Sequence, residues 1–113
     1  MAIGSLLTEG KLQRVIDELG GQSAAARLLG VHRSRITRWL AGETPDVGNQ
    51  AKLDALEFIL ARLRQTFPAA TACKWLLGIN AHLGDRRPID LIAAKRLAEV
   101  IGAIEQADLD SYA

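Results

Sequence analysis

The stretch from Gln22 to Leu40, QSAAARLLGVHRSRITRWL, does most to limit what this chain can become. It reads as a helix, a tight turn and a second helix. Ala26 stands four residues after Gln22, and Gly30 four residues further on. The first position suits two helices that cross closely, where only a small side chain fits. The second suits a sharp turn, because glycine adopts positive φ without steric cost. Val31, Ile36 and Trp39 then supply the inward face of the second helix. Between them stand His32, Arg33, Ser34, Arg35, Thr37 and Arg38, which are polar and mostly cationic. A buried stripe backed by a basic, hydrogen-bonding outer face is what an element entering the DNA major groove requires. The competing reading is a structural helical hairpin whose basic face is merely solvated.

The flanking segments extend a helical pattern. Leu12, Val15, Ile16 and Leu19 repeat at helical spacing, with Thr8 as an expected N-cap and Gly20-Gly21 as a stop. The second helix is expected from Gln22 to Leu29 and the third from Arg33 to Ala41. The segment 42–49 is dense in turn residues and reads as a loop. Gly48 or Asn49 is expected to cap a fourth helix, Gln50 to Thr66, with Leu53, Leu56, Ile59, Leu60 and Leu63 inside and Lys52, Glu57, Arg62 and Arg64 outside. Pro68 suits the first turn of a fifth helix, Ala69 to Leu77. A loop with one short turn follows, then a helix opened by Pro88, and a last helix from Ala94 to Gln106. Leu97, Val100, Ile101 and Ile104 form the buried stripe of that last helix. The segment 108–113, DLDSYA, reads as an acidic tail. β-branched residues never alternate over a useful length. The expected class is all-α: an N-terminal helix-turn-helix module over 1–48, a connecting long helix over 49–67 and a small helical C-terminal domain over 68–113.

Charge narrows the partners. The net charge is only +1, so any affinity for nucleic acid must come from a local patch. Arg33, Arg35 and Arg38 supply one, with Arg27 and Arg14 nearby in sequence. Gln22 and the backbone amides beside it sit where a helix N-terminus attracts phosphate. The candidate DNA-binding residues are therefore Gln22, His32, Arg33, Ser34, Arg35, Thr37 and Arg38. Arg33 or Arg38 is suited to a two-bonded contact with guanine. One such module makes a small interface, so a homodimer on a two-half operator is the expected mode.

Other chemistry is hard to find. The single cysteine, Cys73, excludes an intrachain disulfide and fits a reducing compartment. It is expected to be a buried, inert thiol. No apolar run approaches the ~18 residues of a membrane span. MAIGSLLTEG has neither the basic start nor the long apolar region of a signal peptide, so a cytoplasmic protein is expected. Trp39 and Trp75 read as core. His82 has no ligand-spaced partner, and Asp85 and Asp90 read as turn caps. No phosphate loop, zinc motif or hydrolytic triad is present, so neither an enzyme, a cofactor nor a metal is expected.

The second half has a pattern of its own: Trp75-Leu76, Asn80, Leu83-Gly84, Arg87-Pro88, Asp90-Leu91, then Val100 and Ile104, with Tyr112 near the end. This pattern resembles the toxin-binding domain of the Xre/MbcA/ParS antitoxins, the MbcA-like members in particular. The N-terminal half is similar to the Xre-type module those antitoxins often carry. The resemblance implies a protein that binds and neutralises a RES-domain toxin, an enzyme that destroys NAD, and that represses its own operon. It also implies a hetero-oligomer with the cognate toxin. By position it assigns toxin contact to Asn80, Leu83, Asp85, Arg86 and Arg87, and to Asp108, Asp110, Tyr112 and Ala113 at the C-terminus. Two departures stand out. Many relatives carry a second loop glycine where this chain has Asp85, and a glycine before the terminal tyrosine where this chain has Ala107. The adjacent cations Arg86 and Arg87 suit an acidic partner, and the anionic end suits a pocket built for pyrophosphate. The remaining alternative is a stand-alone regulator whose C-terminal helices only dimerise.

Overall fold

Helix ends in this chain are set by a few backbone devices, and these fix the architecture. The computed structural model describes residues 3–111, with side chains from 8 to 110. Among these residues are seven α-helices and no strand: α1 Ile3–Leu19, α2 Gln22–Leu29, α3 Arg33–Leu40, α4 Val47–Arg64, α5 Ala69–Leu77, α6 Pro88–Ala93 and α7 Leu97–Ser111. A single 3-10 turn, Ala81–Leu83, lies between α5 and α6. No described helix is long and apolar enough to cross a membrane. The chain divides into two compact units between Glu57 and Phe58, inside α4.

In the first unit α2 packs on both α1 and α3. Its close approach rests on Ala25 and Ala26, both buried. α2 ends where Gly30 takes φ 70° and the Val31 amide reaches back to the Ala26 carbonyl at 3.0 Å. That left-handed closure is strain-free only for glycine. The core is Leu12, Val15, Leu28, Leu29, Ile36 and Trp39, with Leu53 and Leu56 from α4. Three side-chain pairs link α1 to α4: Thr8 to Gln50 at 3.0 Å, Lys11 to Asp54 at 2.9 Å and Arg14 to Glu57 at 2.9 Å. Thr8 is buried, and its hydroxyl donates to the Gln50 side-chain amide oxygen, Oε1.

In the second unit α6 packs on α5 and α7, and the 3-10 turn packs on α7. Ile59, Leu60, Leu63, Ala72, Leu76, Leu83, Ile89, Leu91, Ile92, Val100, Ala103 and Ile104 form its core. α6 opens with Pro88 at its first position, where the missing N–H costs nothing. It closes with Lys95 at φ 63° and the Arg96 amide bonded to the Leu91 carbonyl at 2.9 Å.

Several boundaries differ from the sequence expectation. α1 starts at Ile3, so Thr8 is an internal, buried residue rather than an N-cap. α4 starts at Val47, inside the expected loop, because Asp46 is the capping residue: its carboxylate accepts from the Asn49 amide at 3.3 Å and the Asn49 side chain at 2.6 Å. Pro68 is the residue before α5 rather than within its first turn. α7 starts at Leu97, because Ala94 to Arg96 close α6, and it runs to Ser111. The acidic segment is thus helical through Ser111 instead of being a tail. Trp75 and Cys73 are half-buried, not core. Leu97 and Ile101 are half-buried as well.

Candidate functional site

α3 carries two opposed faces. Ile36 and Trp39 point inward, at 0% and 2% exposure. Arg33, Ser34, Arg35, Thr37 and Arg38 are exposed. The helix starts on His32, whose backbone is extended and whose Nδ1 accepts the Ser34 amide at 3.2 Å; the Ser34 hydroxyl lies 3.0 Å from the same nitrogen. His32 and Ser34 therefore build the helix start. Gln22 opens α2, and its side-chain oxygen accepts from the Thr37 hydroxyl at 3.2 Å; that hydroxyl also lies 3.4 Å from the Arg33 carbonyl. Gln22, Arg33 and Thr37 are thereby gathered where the start of α2 meets α3. The residue before α2, Gly21, offers no side-chain cap, so the first-turn amides of α2 have no such partner.

The three arginines of α3 differ in their surroundings. Arg38 Nε lies 3.6 Å from Glu43 Oε2, and Arg35 Nη1 lies 3.8 Å from Asp46 Oδ1. Arg33 has no ion pair among the described residues. Hydrogen bonds from Asn49, with the Arg35 charge adding to them, hold the Asp46 carboxyl below its ordinary value of 3.8. An open pocket of about 360 Å³ is lined by Arg35, Arg38, Trp39, Glu43, Thr44 and Asp46.

Lys52 matters to this region, although its sequence position reads only as a solvated face of α4. Its Nζ donates to the Leu29 carbonyl at 2.6 Å. It thus places a cation at the C-terminus of α2, where helix dipole and orphan carbonyl both favour one. A lysine in the outward register of α4 gives no sign that a helix end lies within reach, so the sequence offers no signal for this contact.

The residues assigned to toxin contact divide into loop and helix. Asn80 and Arg86 pair through their backbones, with the Asn80 amide donating to the Arg86 carbonyl at 3.1 Å and the Asp85 amide to the Asn80 carbonyl at 3.0 Å. Gly84 and Asp85 turn the loop at φ 66° and 59°. The Asn80 side chain caps the 3-10 turn through the His82 amide at 2.9 Å. Leu83 is 3% exposed and anchors the loop from inside, so it presents no outward surface.

Both loop cations are engaged within the unit. Arg86 donates to the Leu83 carbonyl at 2.6 Å and to Glu99 at 3.1 Å, and Glu99 also pairs with Arg96. Arg87 grips Asp90 through two bonds, at 3.0 and 2.9 Å. Those hydrogen bonds, and then the Asp90 charge, hold the Arg87 guanidinium even further above its usual range. The two cations read as suited to an acidic partner are thus each paired within the unit, Arg87 with the neighbouring Asp90 and Arg86 with Glu99, in a braced turn. Asp85 remains exposed.

On α7, Asp108 accepts from the Thr66 hydroxyl at 2.7 Å and lies 3.5 Å from Arg62. It fastens the end of α7 to the residues around the end of α4. Asp110 is exposed, accepts from Gln106 at 3.1 Å and stands 3.6 Å from His82. Tyr112 and Ala113 lie outside the described residues. Among the described residues no group of histidine, cysteine and carboxylate side chains is arranged to hold a metal ion. No family model, curated protein or solved structure matches the chain.

Proposed function

We propose that the chain is a two-part antitoxin. Its first unit is a helix-turn-helix of the Xre type that binds operator DNA. Its second unit binds a RES-domain, NAD-degrading toxin and blocks the active site. The observation that carries the DNA half is the division of α3: Ile36 and Trp39 buried, five polar or cationic side chains exposed beside them. Such a helix can lie in the major groove with Arg33 and Thr37 toward base edges and the α2 first-turn amides toward phosphate.

The toxin half rests on the sequence resemblance over Trp75 to Ile104 and on the surface that remains outward there. Asp85 on the loop and Asp110 on α7 are exposed carboxylates, and the Asp110–His82 contact brings the 3-10 turn beside the end of α7. This is the edge assigned to the toxin, with α7 covering the entrance to its nucleotide pocket. Asp108, Arg86 and Arg87 shape this edge instead of leading the contact.

Co-expression with a RES-domain enzyme tests the proposal. A stable complex, restored growth and preserved cellular NAD are the expected result. Replacing Arg33 and Arg38 by alanine should abolish operator binding and leave neutralisation intact. A chain that forms no complex and leaves NAD falling would overturn the antitoxin reading. The second reading, a stand-alone regulator that dimerises through its second unit, draws support from the exposed apolar side chains Ile79 and Leu109, 74% and 65% accessible. It requires the chain to be a dimer with no effect on the toxin.

A further inference from the structure

We infer that the turn between α3 and α4 carries internal substitutes for phosphate: Glu43 and Asp46 hold Arg38 and Arg35 while no DNA is bound, and so suppress sequence-independent binding. The inference rests on the DNA-binding reading of α3 and adds a regulation of that same face.

Three features support it. The first is position. Neither carboxylate hangs on a loose loop. The Glu43 amide is bonded to the Arg38 carbonyl at 3.0 Å, at the end of α3. Asp46 is fixed as the cap of α4 by its two contacts with Asn49. The backbone that carries each acid is therefore held beside one arginine.

The second is strength. The separations of 3.6 and 3.8 Å exceed those of a charge-assisted hydrogen bond, about 2.7–2.9 Å. All four side chains are about half exposed, between 47% and 60%. Such pairs are screened by water and salt. They offset the arginine charge, yet they yield to a phosphate that brings a shorter contact. The open pocket between the same residues leaves room for that phosphate to approach.

The third is selectivity within the face. Arg33 alone of the three α3 arginines has no ion pair with a carboxylate among the described residues, and its backbone carbonyl lies 3.4 Å from the Thr37 hydroxyl that also meets Gln22. Backbone affinity, which ignores sequence, is thus restrained at Arg35 and Arg38, while Arg33 is left uncompensated. In counterion terms, a phosphate that displaces a carboxylate frees an acid that must take up a cation. The net ion release for those two contacts is then close to zero instead of about 0.9 each.

Isosteric neutralisation tests this. Glu43→Gln and Asp46→Asn remove charge while keeping shape, and asparagine caps a helix as well as aspartate does. Glu105→Gln removes the same charge from the exposed side of α7 and serves as the control. Fluorescence anisotropy with a labelled random-sequence duplex is read between about 50 and 200 mM salt. Each neutralisation is expected to tighten binding about threefold and the pair about tenfold at the low-salt end, with the log–log salt slope steeper by about one to two. Glu105→Gln should stay within about twofold of the parent, since Glu105 is the ion-pair partner of neither Arg35 nor Arg38 and acts only through a field that salt screens. If the parent binds and the double variant binds no tighter than Glu105→Gln, the inference is overturned while the DNA reading stands. If neither the parent nor any variant binds, both fall together. Circular dichroism checks each variant, and Glu43→Gln alone carries the test if Asp46→Asn unfolds.

Discussion

Replacing Lys52 by methionine should loosen the junction on which α3 depends. The lysine Nζ donates to the Leu29 carbonyl at 2.6 Å, at the C-terminus of α2 and one residue before the Gly30 turn. Methionine keeps most of the aliphatic stem and removes only the cation and its donors. A hydrogen bond from a charged donor is worth about 1.5–3 kcal/mol, and a cation at a helix C-terminus adds about 0.3–1 kcal/mol. Lys52 is half-buried, so water can reach the carbonyl and recover part of this. The expected loss is about 1–2 kcal/mol, or roughly 5–10 °C in Tm for a small domain. Calorimetry of the variant beside Lys52→Arg, which retains a donor, provides the measurement. Hydrogen exchange at the Val31 amide, which closes α2 on the Ala26 carbonyl at 3.0 Å, should rise in step. A Lys52→Met melt within about 1 °C of the parent would refute the reasoning, because a real loss of about 1 kcal/mol cannot hide in so small a shift. It would mean that water satisfies the Leu29 carbonyl unaided and that the lysine merely rests nearby.

Two further outcomes follow from the second unit. Asp108→Asn keeps an acceptor for the Thr66 hydroxyl but drops the charge facing Arg62, with the carboxylate 25% and the guanidinium 28% exposed; a loss of about 0.5–1 kcal/mol in a denaturant melt is expected. Unchanged stability combined with weakened toxin binding would instead make Asp108 a contact residue. Asp85 sits at φ 59°, so Asp85→Gly should lie within about 0.5 kcal/mol of the parent, whereas Asp85→Val should lose about 1–2 kcal/mol, since a β-branched residue is strained there. Equal stabilities for the two variants would show that the loop abandons this conformation at little cost.

Much of the first unit is legible in the residues themselves. The α2 boundaries coincide with the apolar spacing between Gly21 and Gly30, and the inward set of Ile36 and Trp39 follows from helical periodicity. The turn at Gly84-Asp85 is legible too, since aspartate is among the few residues other than glycine that enter the left-handed region readily, and Asp85 sits at φ 59°. What the pattern hides is tertiary. Thr8 looks like a cap because threonine favours caps, yet it is buried against Gln50, forty-two positions away. The acidic end looks solvated because two aspartates near a helix C-terminus are unfavourable on their own, but Thr66 and Arg62 receive one of them. The cations of the candidate sites are visible as a composition. Asp90, three residues from Arg87, is the one partner visible in the sequence; Glu43, Asp46 and Glu99 are not, because they reach their arginines only once turns and helices have formed. A residue count therefore overstates the free charge on both surfaces.

The three links between α1 and α4 bear on misalignment. From Thr8–Gln50 to Lys11–Asp54 to Arg14–Glu57, each step advances three or four residues along both helices in the same direction. They act like teeth on two parallel rails. Leucines alone would tolerate a slide of one turn, about 5.4 Å, because one leucine can replace another in an apolar seam. The teeth would not: a slid α1 would strand the buried Thr8 hydroxyl, at a cost of about 1–3 kcal/mol, and break both ion pairs as well. Because α2 and α3 are strung between the two rails in sequence, an error of alignment there would be passed directly to the angle at which α3 offers its arginines. The accuracy with which this small unit could address a groove is thus set partly by side chains on helices that need not touch the groove.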